Sequence, residues 1–350
     1  MMARIGNWIG MAAVLFASGS AAQAPGPATP MFADDSPIHL VVRGPIPSIV
    51  RSAEGGNVPQ PGTVSLVGGS GESFPVAISA RGITRRMSAT CSFPPLRLDL
   101  QSRPAASSYF AGQKRLKLVT HCRNDAGFQR YLLLEYAAYR MYNLLTPLSF
   151  RAKLATVDYQ DVDGRPIVSR AGFLIEDLGD LARRNGLVEV KTGPRISPAI
   201  LRRTDAARFA LFEYLVSNLD WAMSAGPVGD NCCHNARLVS PRGASSNLIV
   251  VPYDFDFSGM VNAPYASPPE GIPVANVRER RYRGYCFTNA EALVEAARMR
   301  AMRGPIIAVL DTIPGLDPRA AAGAKAYLER SFADIATDAD VTRKLFKTCL

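Results

Sequence analysis

The segment Val251-Pro252-Tyr253-Asp254-Phe255-Asp256-Phe257-Ser258-Gly259 carries the clearest chemistry in the chain. The apolar run Leu248 to Tyr253 reads as a strand and delivers two carboxylates at i and i+2. Side chains alternate faces along a strand, so Asp254 and Asp256 share one side. Paired carboxylate oxygens suit a hard divalent cation such as magnesium. Asp also recurs in turns after strands, but the three aromatic residues around this pair argue against a solvated turn.

A second group precedes it. The run Phe209 to Asp220 (FALFEYLVSNLD) presents Asn218 and Asp220 at the end of an expected helix. After a loop come His234-Asn235 and a short apolar stretch at Leu238-Val239. Asp, then Asn, then a strand and an Asp pair is the order used in kinase-like phosphoryl transfer. There one Asp accepts the proton of the attacking hydroxyl, and the Asn and a later Asp hold the metal on the phosphates. A third pair is Lys117, in the strand-like LKLV, and Glu135, in the helical run after it. A strand lysine that grips phosphates, braced by a glutamate from the next helix, is a kinase arrangement. Fourth, Arg81-Gly82-Ile83-Thr84-Arg85-Arg86 forms a basic turn whose backbone amides could approach phosphate. An ordinary hairpin turn would read the same way.

These residues need elements to position them. Short strands are expected at Ile38–Arg43, Thr63–Val67, Phe74–Ala80, Leu96–Leu100 and Leu116–Thr120, separated by Gly and Pro clusters. Phe128 to Leu145 has no breaker and stops at Thr146-Pro147, which predicts a long helix. Two strands, Arg151–Tyr159 and Arg170–Ile175, follow. Residues 179–197 read as loop, and helices are expected at 198–222, 288–303 and 318–336. The expectation is an α+β molecule with two lobes: a β-rich N-terminal lobe (38–178) containing one long helix, and a mainly helical C-terminal lobe (179–350), with a cleft between them.

The chain begins as an exported protein would. Arg4, the apolar run Ile5 to Phe16 and the small residues Ala17 to Ala24 read as a cleavable secretion signal over residues 1–24. Residues 25–37, rich in Pro, Ala and Asp, read as a flexible leader. No later stretch is long and apolar enough to span a bilayer. A periplasmic or extracellular location is expected. The net charge is +10, but it is spread along the chain and gives no nucleic-acid footprint. Six cysteines (Cys91, Cys122, Cys232, Cys233, Cys286, Cys349) fit disulfides in an oxidising compartment, with 15 possible pairings left open. Only three histidines and no Cys-x-x-Cys pair argue against structural zinc.

With these segments in hand, the chain resembles the spore-coat protein kinases and their secreted bacterial relatives (CotH-like), an atypical branch of the kinase-like fold. The resemblance spans roughly Pro75 to Gly259. It rests on Arg81-Gly82-Ile83-Thr84, Lys117 to Val119, Asp125 to Leu145, Phe173 to Asp177, Asn218-Leu219-Asp220 and Pro252-Tyr253-Asp254-Phe255-Asp256. It implies a two-lobed kinase-like fold that binds ATP with Mg2+ or Mn2+. Asp220 would be the catalytic base. Asn235 and Asp254 would hold the metal, with Asp256 in support. Lys117 would contact phosphate and pair with Glu135, while Arg81 would lie in the phosphate-facing turn and Glu176 and Asp177 near the adenine. The acceptor would be a hydroxyl of a protein or small molecule. The chain departs from the pattern in the long loop between Asp220 and Asn235, which leaves Asn231 as a rival ligand, and in lacking lysines after the Arg-Gly turn, which leaves Arg97 as a rival to Lys117. Two other readings stay open: a non-catalytic envelope binding protein of kinase-like shape, and a metal-dependent hydrolase using Asp254 and Asp256.

Overall fold

A computed structural model describes residues 25–68, 71–227 and 229–350. The expected secretion signal, residues 1–24, lies outside the described residues. The N-terminal half alternates apolar and polar residues in runs of five to ten, and these form strands. In chain order they are β1 (Ile38–Arg43), the short helix α1 (Ile46–Ser52), β2 (Gln60–Leu66), β3 (Ser73–Ala80), β4 (Leu96–Leu100), β5 (Arg115–Val119), the long helix α2 (Gln129–Leu145), β6 (Ala152–Gln160) and β7 (Pro166–Ile175).

The seven strands close into a barrel in the order β1-β2-β3-β4-β5-β7-β6. Neighbours are antiparallel, except that β6 runs parallel to β1, with Leu40 opposite Val157. That last pairing closes the barrel and leaves the sheet without a free edge. Leu40, Val42, Val64, Ile78, Leu98 and Val157 fill its interior. Gly62 permits the tight approach of β1 and β3, since a Cβ there would lie 2.4 Å from both the Arg43 carbonyl oxygen and an Ile78 methyl.

The expected two-lobed kinase-like fold is therefore corrected. The β region is a closed seven-stranded barrel, not an open sheet forming a kinase-type N-terminal lobe. The physical reason is the length and apolar interior face of β1 and β6, which bury more surface paired than as two exposed edges. The barrel and the helical half also share one core. Val119, Phe173 and Ile175 from the barrel strands belong to the same buried cluster as Tyr139, Phe212 and Phe255.

The second half contains α3 (Leu178–Arg184), β8 (Val188–Glu189), α4 (Arg203–Val216), β9 (Ala236–Ser240), β10 (Ile249–Pro252), α5 (Asn289–Ala301), α6 (Arg303–Ala308), α7 (Pro318–Asp334) and α8 (Asp338–Lys344). Strands β10, β9 and β8 form a small antiparallel sheet. The stretch expected as loop at 179–197 opens with α3, whose N-cap Asp177 accepts from the Gly179 amide. The leader is not loose near its end either. Met31 and Phe32 are buried against the barrel, and Asp34 pairs with the buried Lys153 at 2.7 Å. No helix among the described residues is long and apolar enough to cross a membrane.

All six cysteines are paired: Cys91–Cys122, Cys232–Cys233 and Cys286–Cys349. Three disulfides fit a chain that folds in an oxidising, extracytoplasmic compartment.

Candidate functional site

A cavity of about 520 Å³ opens where the Arg81–Arg85 turn faces the ends of β9 and β10. Its walls include Arg81, Arg85, Asp220, His234, Asn235, Arg237, Asp254 and Asp256. Residues distant in sequence converge here for identifiable reasons.

Strand β10 ends at Pro252, which has no amide to extend the ladder. Phe255 is fully buried, its ring 4.9 Å from Tyr139 of α2 and 5.6 Å from Phe212 of α4. Pinning Phe255 holds Asp254 and Asp256 to either side of it. The Asp254 amide donates to the Tyr139 hydroxyl at 2.8 Å. Asp254 sits at φ +68°, a left-handed conformation that Asp and Asn tolerate better than most residues. The strand ends before the pair, yet both carboxylates reach one partner, Arg85.

Arg85 is the residue that sequence reasoning passed over. Its guanidinium donates to Glu135 Oε2 at 2.9 Å and Asp254 Oδ1 at 2.9 Å, and its Nε lies 3.2 Å from Asp256 Oδ2. Tyr265 also donates to Asp256 at 3.0 Å. Burial pushes the Glu135 carboxyl up to about 7, against the pull of Arg85, and raises Asp256 well above its usual range for the same reason. The expected Lys117–Glu135 pair is absent. Glu135 takes Arg85, and Lys117 pairs with Asp177 at 3.3 Å. Burial lowers the Lys117 ammonium, partly offset by Asp177, and Arg81 and Arg237 push the same way as burial. Arg81 and Arg237 line the cavity, and Lys117 is not in its wall.

Asp220 lies just past the end of α4. The chain leaves that helix through Ser217 at φ +56°, and Asn218 Oδ1 then accepts from the Asp220 amide at 3.1 Å. His234 Nε2 contacts Asp220 Oδ1 at 2.8 Å, and Asn235 Nδ2 donates to Asp220 Oδ2 at 3.0 Å. Asn235 is also left-handed, at φ +46°. The hydrogen bond to Asp220 raises the His234 imidazole above its ordinary value, more than burial lowers it. Asp220, Asn235, Asp254, Asp256, Arg81 and Glu135 are thus brought to one place. Glu176 is not. It is fully buried beneath α3, bonded to Arg184 at 2.8 Å and to the Arg151 amide at 3.0 Å. Arg97 pairs with Asp99 on β4, outside the cavity wall. Asn231 is exposed in the loop. Arg278, Arg280 and Arg283, in the segment after the Asp pair, brace the fold. The first two stack on Tyr327, and Arg283 donates to the Leu219 and Trp221 carbonyls.

One oxygen each from Glu135, Asp254 and Asp256 can lie within 4.8 Å of one another. That donor set suits a hard divalent cation, and the site already accommodates positive charge in the form of Arg85. The signal that could have found Arg85 is faint. It is one of four basic or glycine residues in a turn, and nothing in the turn shows which side chain reaches inward.

No protein-family model matches the chain, and no curated protein sequence matches it.

Proposed function

We propose that this chain is an extracytoplasmic, metal-dependent phosphotransferase that moves the γ-phosphoryl group of ATP to a hydroxyl acceptor, acting in the periplasm or outside the cell. The observation that carries the reading is the lining of the cavity. The cavity wall brings together Asp220, held by His234 and Asn235, the carboxylates Asp254 and Asp256, and the cations Arg81 and Arg237. Phosphoryl transfer asks a protein for positioning and charge neutralisation more than covalent chemistry, and these residues are of the types that do both.

In this reading Asp220 orients the acceptor hydroxyl and takes its proton as oxygen attacks the γ-phosphorus. The bond from phosphorus to the bridging oxygen breaks and ADP leaves. Arg81 and Arg237 balance phosphate charge. Asp254 and Asp256, with Glu135 or Asn235, would hold a Mg2+ or Mn2+ ion that offsets charge on the phosphates. The resemblance to CotH-like kinases supports the reading through the order of motifs, not through the fold.

A second reading is favoured by one observation. Arg85 fills the space between Glu135, Asp254 and Asp256, as a residue would in a binding protein that has lost its metal. Residues 25–350 incubated with γ-labelled ATP and Mn2+ separate the two. Label reaching an acceptor hydroxyl, on the protein itself or an added substrate, with none from the Asp254→Asn variant, is the expected result. No label from either, with no nucleotide-dependent thermal shift, would leave the binding-protein reading.

A further inference from the structure

Disulfides stabilise chiefly by shortening the unfolded chain's loops, and the effect grows with the number of residues enclosed, to about 3 kcal/mol for some fifteen residues. Cys91–Cys122 and Cys286–Cys349 span 31 and 63 residues. Cys232–Cys233 joins neighbours and encloses no loop. Its consequence is therefore local, and what is local to it is the site. The next two residues are His234 and Asn235, both bonded to Asp220. Cys233 itself lines the cavity, and its carbonyl accepts from Arg237 at 3.2 Å. The pair is clamped from both sides. The Cys232 amide donates to the Gly193 carbonyl, and the His234 amide to the Ala225 carbonyl.

A second feature concerns the sulfurs. The Met223 carbonyl oxygen lies 3.0 Å from Cys233 Sγ and 3.7 Å from Cys232 Sγ. A disulfide sulfur has no proton to donate to it. A thiol does, so the reduced pair has an acceptor already in place.

From these observations we propose that Cys232–Cys233 is a redox-sensitive positioning element: oxidised, it holds His234 and Asn235 against Asp220, and reduced to the dithiol, it releases them and disables the site. The reductant is a dithiol, either a small molecule or a protein. Its thiolate attacks one sulfur, the Sγ–Sγ bond breaks and a mixed disulfide forms. The second thiol resolves that intermediate, leaving the reductant as its own disulfide. Two electrons enter the cysteine pair, which takes up two protons. The proposal rests on reading Asp220, His234 and Asn235 as working parts of the site. Its test therefore uses a readout that needs no phosphoryl transfer.

The experiment follows the His234 ring shifts of residues 25–350 by NMR at a single pH, together with amide exchange. It compares the oxidised protein, the protein reduced with dithiothreitol (open cysteines mapped by alkylation), the reoxidised protein and two double variants. Cys232→Ser/Cys233→Ser stands in for the dithiol. Cys286→Ser/Cys349→Ser is the control that loses a disulfide remote from the cavity. Opening 232–233 is expected to move the His234 ring shifts toward those of a solvent-exposed imidazole and to speed exchange of the His234 amide, and of the Ala222 amide that donates to the His234 carbonyl, at least tenfold. Reoxidation restores both signals, and the control leaves them unchanged. His234 ring shifts and amide exchange identical in the oxidised, reduced and serine forms would overturn the proposal. An imidazole that shifts as described, in a protein that never binds Mn2+ and ATP, would support the positioning role and sink the phosphotransferase reading instead.

Discussion

Two arginines are buried among carboxylates in this molecule, and they are built differently. Arg208 of α4 faces Glu295 of α5 through two bonds, 2.8 and 2.7 Å, and Asp205 through one of 2.9 Å. Both acidic side chains are nearly inaccessible, at 3% and 4% exposure. Arg202 also pairs with Asp205, so two cations meet two anions, and the Arg208–Glu295 fork ties two helices together. Arg85 meets three carboxylates, and one of them, Asp254, is 31% exposed toward the cavity. Burial pushes Glu135 and Asp256 toward their protonated forms against the pull of Arg85, and the neighbouring carboxylates add to it. The first cluster is closed and saturated. The second has an excess of acid and an open side. A structural ion pair needs neither, and a cation-binding centre needs both.

The largest effect that would sharpen this contrast is on stability. Arg208→Met should cost about 3–5 kcal/mol, because it strands the buried Glu295 and leaves Asp205 to Arg202 alone, and Mn2+ should restore none of it. Arg85→Met should lose a comparable amount in chelator. There, however, Mn2+ at a hundred times its dissociation constant should return about 2.7 kcal/mol, since the ion takes the space the guanidinium left. Urea denaturation of both variants, with and without Mn2+, measures this. Equal indifference to the metal would make the two clusters the same kind of object.

The next effect is smaller and confined to binding. Asp254→Asn should weaken Mn2+·ATP binding at least tenfold, about 1.4 kcal/mol. It should shift the unfolding free energy by less than about 0.5 kcal/mol, because the side chain is partly exposed and the Asp254 amide keeps its bond to Tyr139. Calorimetric titration beside a denaturation curve gives both numbers. A large stability loss with unchanged binding would place Asp254 with Arg208, as a structural residue.

Why the sequence revealed some of this and not the rest follows from range. The strands from Ile38 to Ile175 and the helix ending at Thr146-Pro147 are encoded by local alternation and breakers, and they lie within a few residues of where the pattern puts them. The β1–β6 pairing joins residues such as Leu40 and Val157. No local pattern distinguishes an edge strand that stays free from one that finds a parallel partner so far along the chain. The Asp254–Asp256 pair was legible because the apolar run before it and the aromatic residues around it are contiguous. Arg85 was not, because its partners come from α2 and from the segment after β10. The disulfide pairing was open for a related reason, as spacing alone does not say which cysteines the fold brings together.

The smallest effect tests the open side of the site through its histidine. The bond to Asp220 raises the His234 imidazole, so the folded chain holds that proton more tightly than the unfolded chain, whose histidines titrate near 6.5. The stabilisation is fully present below that value and is lost as pH climbs through the folded value. The side chain is 38% exposed, so solvent screens the pair and the change should stay under about 1 kcal/mol. His121 has the opposite sense. Burial pushes it down to about 4, so its contribution is present above 6.5 and disappears as pH falls toward 4, outside the alkaline window. Glu135, pushed up to about 7, titrates in the same window in both proteins, so the difference between the wild-type and His234→Gln midpoints from pH 7 to 9 isolates His234. The wild type should lose a little more stability across that range than His234→Gln does. If the two curves run parallel, the imidazole does not depend on Asp220, and the Asp220 carboxylate is held by Asn235 alone.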